Sequence, residues 1–318
     1  MAGPKRALVT GGAGCVGSNL VVELLRRGWQ VRALDDFSAG KHEHLKGISS
    51  DRFELREGDI RNLQVCEQAC RNMEYVFHQA AIRSVSRSMD DPQATNEVNV
   101  RGTLNMLQAA QQAGVRRFVY ASSSSVYGDA TQLPQEETQR PQPVSPYAVS
   151  KLAGENYCLS FAKTTKLETV SLRYFNVYGP NQDPESKYSL LIPAFLAQAG
   201  RGEPFEVHGD GLQARDFSFV GDVVGANLLA AQAPNVSGEI FNVAGGKSIS
   251  VLDVAQAIVN IIGKDPGKRH TDCRPGDVRT TWASIERARK LLGFQPSVDF
   301  EEGLRRSVEY FRSTGWLG

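Results

Sequence analysis

VTGGAGCVG, residues 9–17, joins an apolar run, RALVT (6–10), to a segment of helical spacing, VGSNLVVELLRRG (16–28). Apolar residues at 16, 20, 21, 24 and 25 share one helix face, and Gly28 closes it. Gly12-x-Gly14-x-x-Gly17 fits the fingerprint of a dinucleotide site, and so does the wider Gly11-x-x-Gly14-x-x-Gly17. Glycines allow a tight turn and a close backbone approach, so the helix N-terminus can hold a pyrophosphate. A glycine-rich turn with no ligand would look the same, so the context decides. QVRALDD (30–36) reads as a second strand, and Asp35 ends it 18 residues after Gly17. An acid about 20 residues on is the partner of an adenosine ribose. A carboxylate there repels a 2′-phosphate, and no Arg or Lys follows within DDFSAG, which favours NAD over NADP.

Strand and helix signals alternate outward from this loop. Strands are expected over 53–59, 75–81, 116–123 and 167–175, with helices over 62–72, 94–114 and 145–165. That alternation implies parallel βαβ units and an α/β, Rossmann-type doubly wound parallel sheet. After residue 176 glycine and proline become frequent and the elements shorter. Helices are expected over 189–200, 221–231, 250–263, 284–292 and 300–312, and strands near 204–208 and 238–243. The expected organisation is a dinucleotide-binding domain over 1–175, to which the chain returns near 218–243, and a smaller interleaved α/β substrate lobe over 176–318. Clefts between lobes, beyond the carboxyl ends of the strands, are favoured ligand sites.

The bulk properties exclude several classes. The 36 basic and 35 acidic residues leave a net charge of +1, with no pull toward nucleic acid or a membrane surface. No apolar run approaches the ~20 residues of a membrane span, and the N-terminus lacks a signal-peptide core. A cytoplasmic location is expected. The odd set of cysteines (Cys15, Cys66, Cys70, Cys158 and Cys273) suits reduced thiols, and no His or Cys pair completes a metal site. His42 and His44 fall in a polar stretch and read as solvated.

PYAVSK (146–151) places Tyr147 and Lys151 four residues apart, one turn apart on one helix face. A phenol is a poor base at neutral pH, with a pKa near ~10. A neighbouring ammonium, together with a cationic nicotinamide, would stabilise the phenolate, so Tyr147 could take a proton from an alcohol as hydride leaves. ASSSSVYGD (121–129) adds four serines at the end of a predicted strand, too abrupt for a linker.

GGAGCVG, Asp35, GDI (58–60), HQAA (78–81), NVRGTLN (99–105), SSSSVYG, SPYAVSK and RYFNVYGP occur in order over nearly the whole chain. Together they resemble the extended short-chain dehydrogenase/reductase family, and within it the NAD-dependent UDP-hexose and UDP-N-acetylhexosamine 4-epimerases. The resemblance implies that Ser123, four residues before Tyr127, joins Tyr147 and Lys151 as the catalytic set. It places Ser124 and Ser125 where related 4,6-dehydratases carry Asp-Glu, which disfavours dehydration.

The resemblance also implies a set of cofactor contacts. From the glycine loop come Gly11, Gly14, Cys15, Val16 and Gly17. After the second strand come Asp35, Asp36, Phe37, Ser38 and Gly40, and then Asp59 and Ile60. Gln79, Ala80, Ala81, Arg83 and Asn99 follow, with Ser122, Tyr147, Lys151 and Tyr174 near the reacting end. Substrate contacts are implied for Arg83, Ser123, Ser124, Tyr147, Asn176 and Val207. Arg215 and Arg274 would clamp the diphosphate, Asp277 the nucleotide ribose, and Thr281 would line the sugar pocket. The small Thr281 leaves room for an N-acetyl group, so UDP-GlcNAc/UDP-GalNAc is the favoured pair, with UDP-Glc/UDP-Gal a second. A homodimer through the helices over 94–114 and 145–165 is implied too. The alternatives are 4-epimerisation or decarboxylation of UDP-glucuronate, with Arg83 or Arg87 on the carboxylate, and an NAD-sensing binding protein.

Overall fold

A computed structural model describes residues 4–129, 132–184, 190–273 and 279–317. β1 (Arg6–Thr10) runs into the glycine loop and α1 (Cys15–Arg26), followed by β2 (Gln30–Asp35), β3 (Phe53–Glu57), α2 (Leu63–Cys70) and β4 (Tyr75–His78). Two short helices, α3 (Val85–Asp90) and α4 (Pro92–Asn96), lead through a π-helical turn (Glu97–Arg101) into α5 (Gly102–Gln112). β5 (Arg117–Ser123), α6 (Pro146–Thr164) and β6 (Glu168–Tyr174) complete this half.

The helix expected over 94–114 therefore begins at Pro92, capped by the Asp91 side chain on the Ala94 N–H (2.9 Å), and contains an extra residue in its π turn. The strand expected over 75–81 stops at His78, because residues beyond it leave the sheet to line a cleft. The helix expected over 145–165 is α6, where Pro146 sits in the first turn and the Ser145 side chain accepts the Ala148 N–H at 3.2 Å.

The second half carries β7 (Val177–Tyr178), α7 (Leu191–Arg201), β8 (Phe205–His208), β9 (Ala214–Asp216), β10 (Ser218–Phe219), α8 (Val220–Gln232), β11 (Glu239–Val243) and β12 (Ser248–Ser250). It closes with α9 (Val251–Ile262), β13 (Lys268–Thr271), α10 (Glu286–Leu292) and α11 (Phe300–Ser313). The main sheet is parallel, in the order β11-β6-β5-β4-β1-β2-β3, and the remaining strands form three two-stranded ribbons. β1 lies between β2 and β4, so the strand order reverses there and a crevice opens above their carboxyl ends.

One face of the sheet is covered by α1 and α8, through Leu20, Val21, Leu24, Val223 and Leu228. The other is covered by α2, α5 and α6, through Cys66, Cys70, Met106, Leu107 and Cys158. Cys66 and Cys70 are buried free thiols that pack in this core. Burial of each such aliphatic side chain stabilises by about 1.5–3 kcal/mol. A third core, built on Tyr178, Phe195, Phe205, Phe217, Phe219 and Phe311, holds the second lobe against the sheet's carboxyl edge. Among the described residues no helix is long and apolar enough to cross a membrane, and no three His, Cys, Asp or Glu side chains gather at one point.

Candidate active site

A cleft of about 610 Å³ lies over the carboxyl ends of the parallel strands and under the second lobe. Its floor at one end is the glycine loop, where Gly11, Gly14, Cys15, Val16 and Gly17 face the opening. A Cβ on Gly11 (φ +64°) would stand 2.7 Å from the Ala80 nitrogen, and one on Gly17 would stand 2.0 Å from the Gly11 oxygen. The loop is thus packed too tightly for any side chain at either position. α1 begins with no side-chain cap, so its first N–H groups are available to an anion. This cradle fits a dinucleotide pyrophosphate.

Asp35 stands at the loop's edge, accepting N–H bonds from Ala13 (2.8 Å) and Phe37 (2.9 Å). Burial pushes its carboxyl above the ordinary range in spite of those bonds. Each oxygen keeps a lone pair for a ribose hydroxyl. Asp36, Ser38 and Gly40 line the cleft beside it. Phe37 does not line it, since its ring stacks on His42 at 3.6 Å. His44, expected to be solvated, is on the cleft wall and its Nδ1–H donates to the Ala13 carbonyl at 2.7 Å. Nothing in the local sequence signals that contact, which depends on the loop folding back over residue 13.

The segment after β4 forms the far wall, with Gln79, Ala80, Ala81 and Arg83 on the cleft. Gln79 bonds Tyr174 (3.1 Å) and Asn227 (3.1 Å), which fixes the Tyr174 ring at the wall. Asn99 works from behind. It is 1% exposed, accepts the Ile82 N–H at 2.8 Å, and donates to the Ile82 carbonyl at 2.9 Å and to Ser150 at 3.0 Å. The π turn aims Asn99 at this peptide, as such turns do at functional sites. Asn99 therefore clamps the cofactor wall and does not face the cleft. Ile60 lines the cleft, whereas the Asp59 carboxylate is taken up by Arg61. Ser84, next to Arg83, holds φ at +92°, a strained geometry for serine.

His78 lies behind the wall. Thr103 donates its hydroxyl to the Asn99 carbonyl (2.6 Å), so its oxygen accepts Nε2–H of His78 (3.0 Å). Nδ1 then accepts the Thr10 hydroxyl at 2.8 Å. Burial keeps the imidazole neutral and lowers its pKa to about 3.

β5 and α6 bring Ser123, Tyr147 and Lys151 to the cleft together. Lys151 Nζ donates to the Ala121 carbonyl at 2.9 Å and lies 5.9 Å from the centre of the Tyr147 ring. Ser123 hydrogen-bonds Tyr147 and accepts the Ser125 hydroxyl at 2.9 Å. The Lys151 pKa is lowered by burial to about 8. Tyr147 departs from the expectation of an acidified phenol. Its pKa is raised, because enclosure of the ring outweighs the Ser123 hydrogen bond and the Arg83 charge. Ser124 and Ser125 are also on the wall, while the Ser122 hydroxyl turns away to Glu155 at 2.5 Å.

The second lobe contributes Asn176, Arg215 and Thr281 to the cleft. Asp216 ties them together. Its carboxylate accepts N–H bonds from Gly245 (2.9 Å), Gly246 (3.1 Å) and Ala283 (3.2 Å), and its carbonyl accepts from the Asn176 amide (2.8 Å). Thr281 Oγ and Gln135 Oε1 are buried, and among the described residues neither has a partner. Both residues line the cleft. Val207 is fully buried in the second lobe's core, where β8 points its side chain inward and away from the cleft. Arg274 and Asp277 lie outside the described residues.

Residues 7–244 match the NAD dependent epimerase/dehydratase family. The chain belongs to that family. Membership makes NAD its cofactor, in agreement with the glycine cradle and Asp35. Among family members, a UDP-glucose 4-epimerase of Mycolicibacterium smegmatis is 39% identical over 97% of this chain and 99% of its own length. A solved UDP-N-acetylglucosamine 4-epimerase of Methanobrevibacter ruminantium, in complex with UDP-N-acetylmuramic acid, is 34% identical with a TM-score of 0.94, over 98% of this chain and 100% of its own. A solved UDP-glucose 4-epimerase of Thermus thermophilus in complex with NAD is 37% identical with a TM-score of 0.88, over 96% of this chain and 99% of its own.

Proposed function

We propose that this chain is an isomerase that interconverts 4-epimers of a UDP-sugar, with UDP-GlcNAc/UDP-GalNAc as the favoured pair and UDP-Glc/UDP-Gal also accepted. The observation that carries the reading is the convergence of Ser123, Tyr147 and Lys151 on the cleft that the glycine loop floors. Tyr147 takes the proton of the sugar's 4-hydroxyl, with Ser123 hydrogen-bonded to both groups. NAD, held by the glycine loop and Asp35, would supply reversible hydride acceptance for the sugar's C4. Lys151 holds positive charge beside the phenol, which favours its ionised form. Ser124 and Ser125 offer neither acid nor base at neutral pH, so the ketone is reduced again and water is not lost. Arg215 would hold the diphosphate by its guanidinium fork while the sugar turns.

The small Thr281, with its orphan hydroxyl and the orphan Gln135 oxygen, supports a substituted sugar. Arg83 and Arg87, also on the cleft wall, support a second reading, a UDP-sugar with a C6 carboxylate. Incubation with UDP-GlcNAc, UDP-Glc and UDP-GlcA, with products resolved by NMR, tests the proposal. A C4 epimer of UDP-GlcNAc is expected; a pentose product or no product overturns it. A homodimer belongs to the same proposal, supported by the exposed Val85, Met89 and Val149 of α3 and α6, and light scattering tests it.

A further inference from the structure

Three consecutive residues of β5 are tied to α6. Ala121 accepts from Lys151 at 2.9 Å, Ser122 donates to Glu155 at 2.5 Å, and Ser123 hydrogen-bonds Tyr147. Tyr147, Lys151 and Glu155 follow at four-residue intervals, so they share one helix face. The proposed reaction uses the first and third ties but not the second. Glu155 is 2% exposed and takes a bidentate bond from Arg173, with Nε and Nη2 each at 2.8 Å. Arg173 is 1% exposed, lies opposite Ser122 in the β5–β6 register, and rests its guanidinium 4.7 Å from the Tyr127 ring centre. Neither Glu155 nor Arg173 lines the cleft.

Stability does not account for this pair. Burying two charges costs about as much as their attraction returns, and apolar side chains of similar volume can do as well. The pair's distinctive contribution is charge. Lys151 is itself buried, 4% exposed. The groups facing it are Tyr147 and Glu155 from α6, the Tyr120 ring at 5.3 Å and the Ala121 carbonyl from β5, and the neutral His78 from β4. Of these, Glu155 alone is a carboxylic side chain, one helical turn away, and it raises the Lys151 pKa against the effect of burial. Arg173 and Ser122 hold that carboxylate on the lysine's side of the helix.

We propose that Glu155, held by Arg173 and Ser122, is a positioning residue that keeps the buried Lys151 side chain an ammonium. The proposal rests on the reading of Lys151 as the cation beside the reacting phenol, but its test requires no turnover. Protein labelled with [ε-13C]lysine is titrated by NMR, and the Lys151 signal is assigned by its loss in Lys151→Met. The native midpoint is expected at about 8. Glu155→Gln keeps the shape and removes the charge, and the midpoint should fall by about one pH unit or more. Glu155→Asp keeps the charge and should move it by less than half as much. If Glu155→Gln does not fold, the double variant Glu155→Gln/Arg173→Met also removes the guanidinium left without its partner, and the midpoint should still fall, by less than in Glu155→Gln. An unmoved midpoint in either charge-removing variant overturns the proposal. The shift in a protein that epimerises no UDP-sugar would keep this inference and remove the functional reading.

Discussion

The carboxylate of Asp35 accepts the backbone N–H of Ala13 at 2.8 Å, so the acid that ends β2 also fixes the middle of the glycine loop. Asp35→Ala removes this brace and, on the proposed reading, the acceptor of the NAD ribose. Hydrogen bonds to charged groups contribute about 1.5–3 kcal/mol, so NAD affinity should fall about 10- to 100-fold. The preference for NAD over NADP should narrow, because the carboxylate that repels a 2′-phosphate is gone. Fluorescence titration with both cofactors checks this, and an unchanged preference would refute the role of Asp35.

Two glycines should respond in opposite ways to alanine. In Gly17→Ala the new methyl group would meet backbone atoms of Gly11 and Gly12 at 2.0 to 2.9 Å, and backbone cannot step aside as a flexible side chain can. NAD affinity should drop at least about tenfold as the loop opens. Gly225, within α8, has nothing within 4 Å of its would-be Cβ. Gly225→Ala should therefore stabilise the protein by about 0.5–1 kcal/mol through helix propensity. NAD titration of Gly17→Ala and denaturant melts of Gly225→Ala check the two outcomes.

His78 makes stability fall in acid. Its folded pKa is lowered to about 3, whereas an unfolded histidine titrates near ~6.5. Below that value the unfolded chain binds a proton that the folded chain refuses, so stability is lost as pH falls from about 6.5 toward 3. The loss between pH 7 and pH 5 is roughly 2 kcal/mol. His78→Gln, which can still donate to one threonine and accept from the other, should flatten that part of the profile in urea titrations. A variant with the native slope would show that other groups set it. Asp216, whose pKa burial raises to about 7, acts in the opposite sense and is common to both proteins, so the difference reports His78.

Asp216→Asn tests the knot under the second lobe. An amide nitrogen cannot accept from Gly245, Gly246 or Ala283, so at least one N–H loses its partner, at a cost of about 1–3 kcal/mol. Arg215 and Thr281 then lose their common anchor. UDP affinity, read by calorimetry, should weaken about tenfold while NAD affinity stays near native. Equal loss of both ligands would mean general destabilisation.

The sequence showed most clearly what depends on neighbouring residues. The glycine loop, Asp35 and the Tyr147–Lys151 spacing are local patterns, and each side chain lies on the cleft wall. The elements of the main sheet follow the expected alternation for the same reason. Residues whose surroundings come from far along the chain were not legible. Asn99 faces Ile82 because of a π turn that leaves no periodic trace. His44 meets Ala13 only once the loop has folded back. Val207 and Phe37 turn away from the cleft through strand alternation and a left-handed backbone angle, neither of which a motif match reveals. The raised pKa of Tyr147 likewise comes from enclosure by several elements, which the spacing of one helix does not show.

β11 gives the chain's return to the sheet a further meaning. The strand at Glu239–Val243 covers the edge of β6, and β6 carries Arg173 and Tyr174. A chain interrupted anywhere before residue 239 would present β6 as a bare, apolar edge, a template for association with other chains. The second lobe therefore cannot be trimmed away to leave a clean cofactor-binding half.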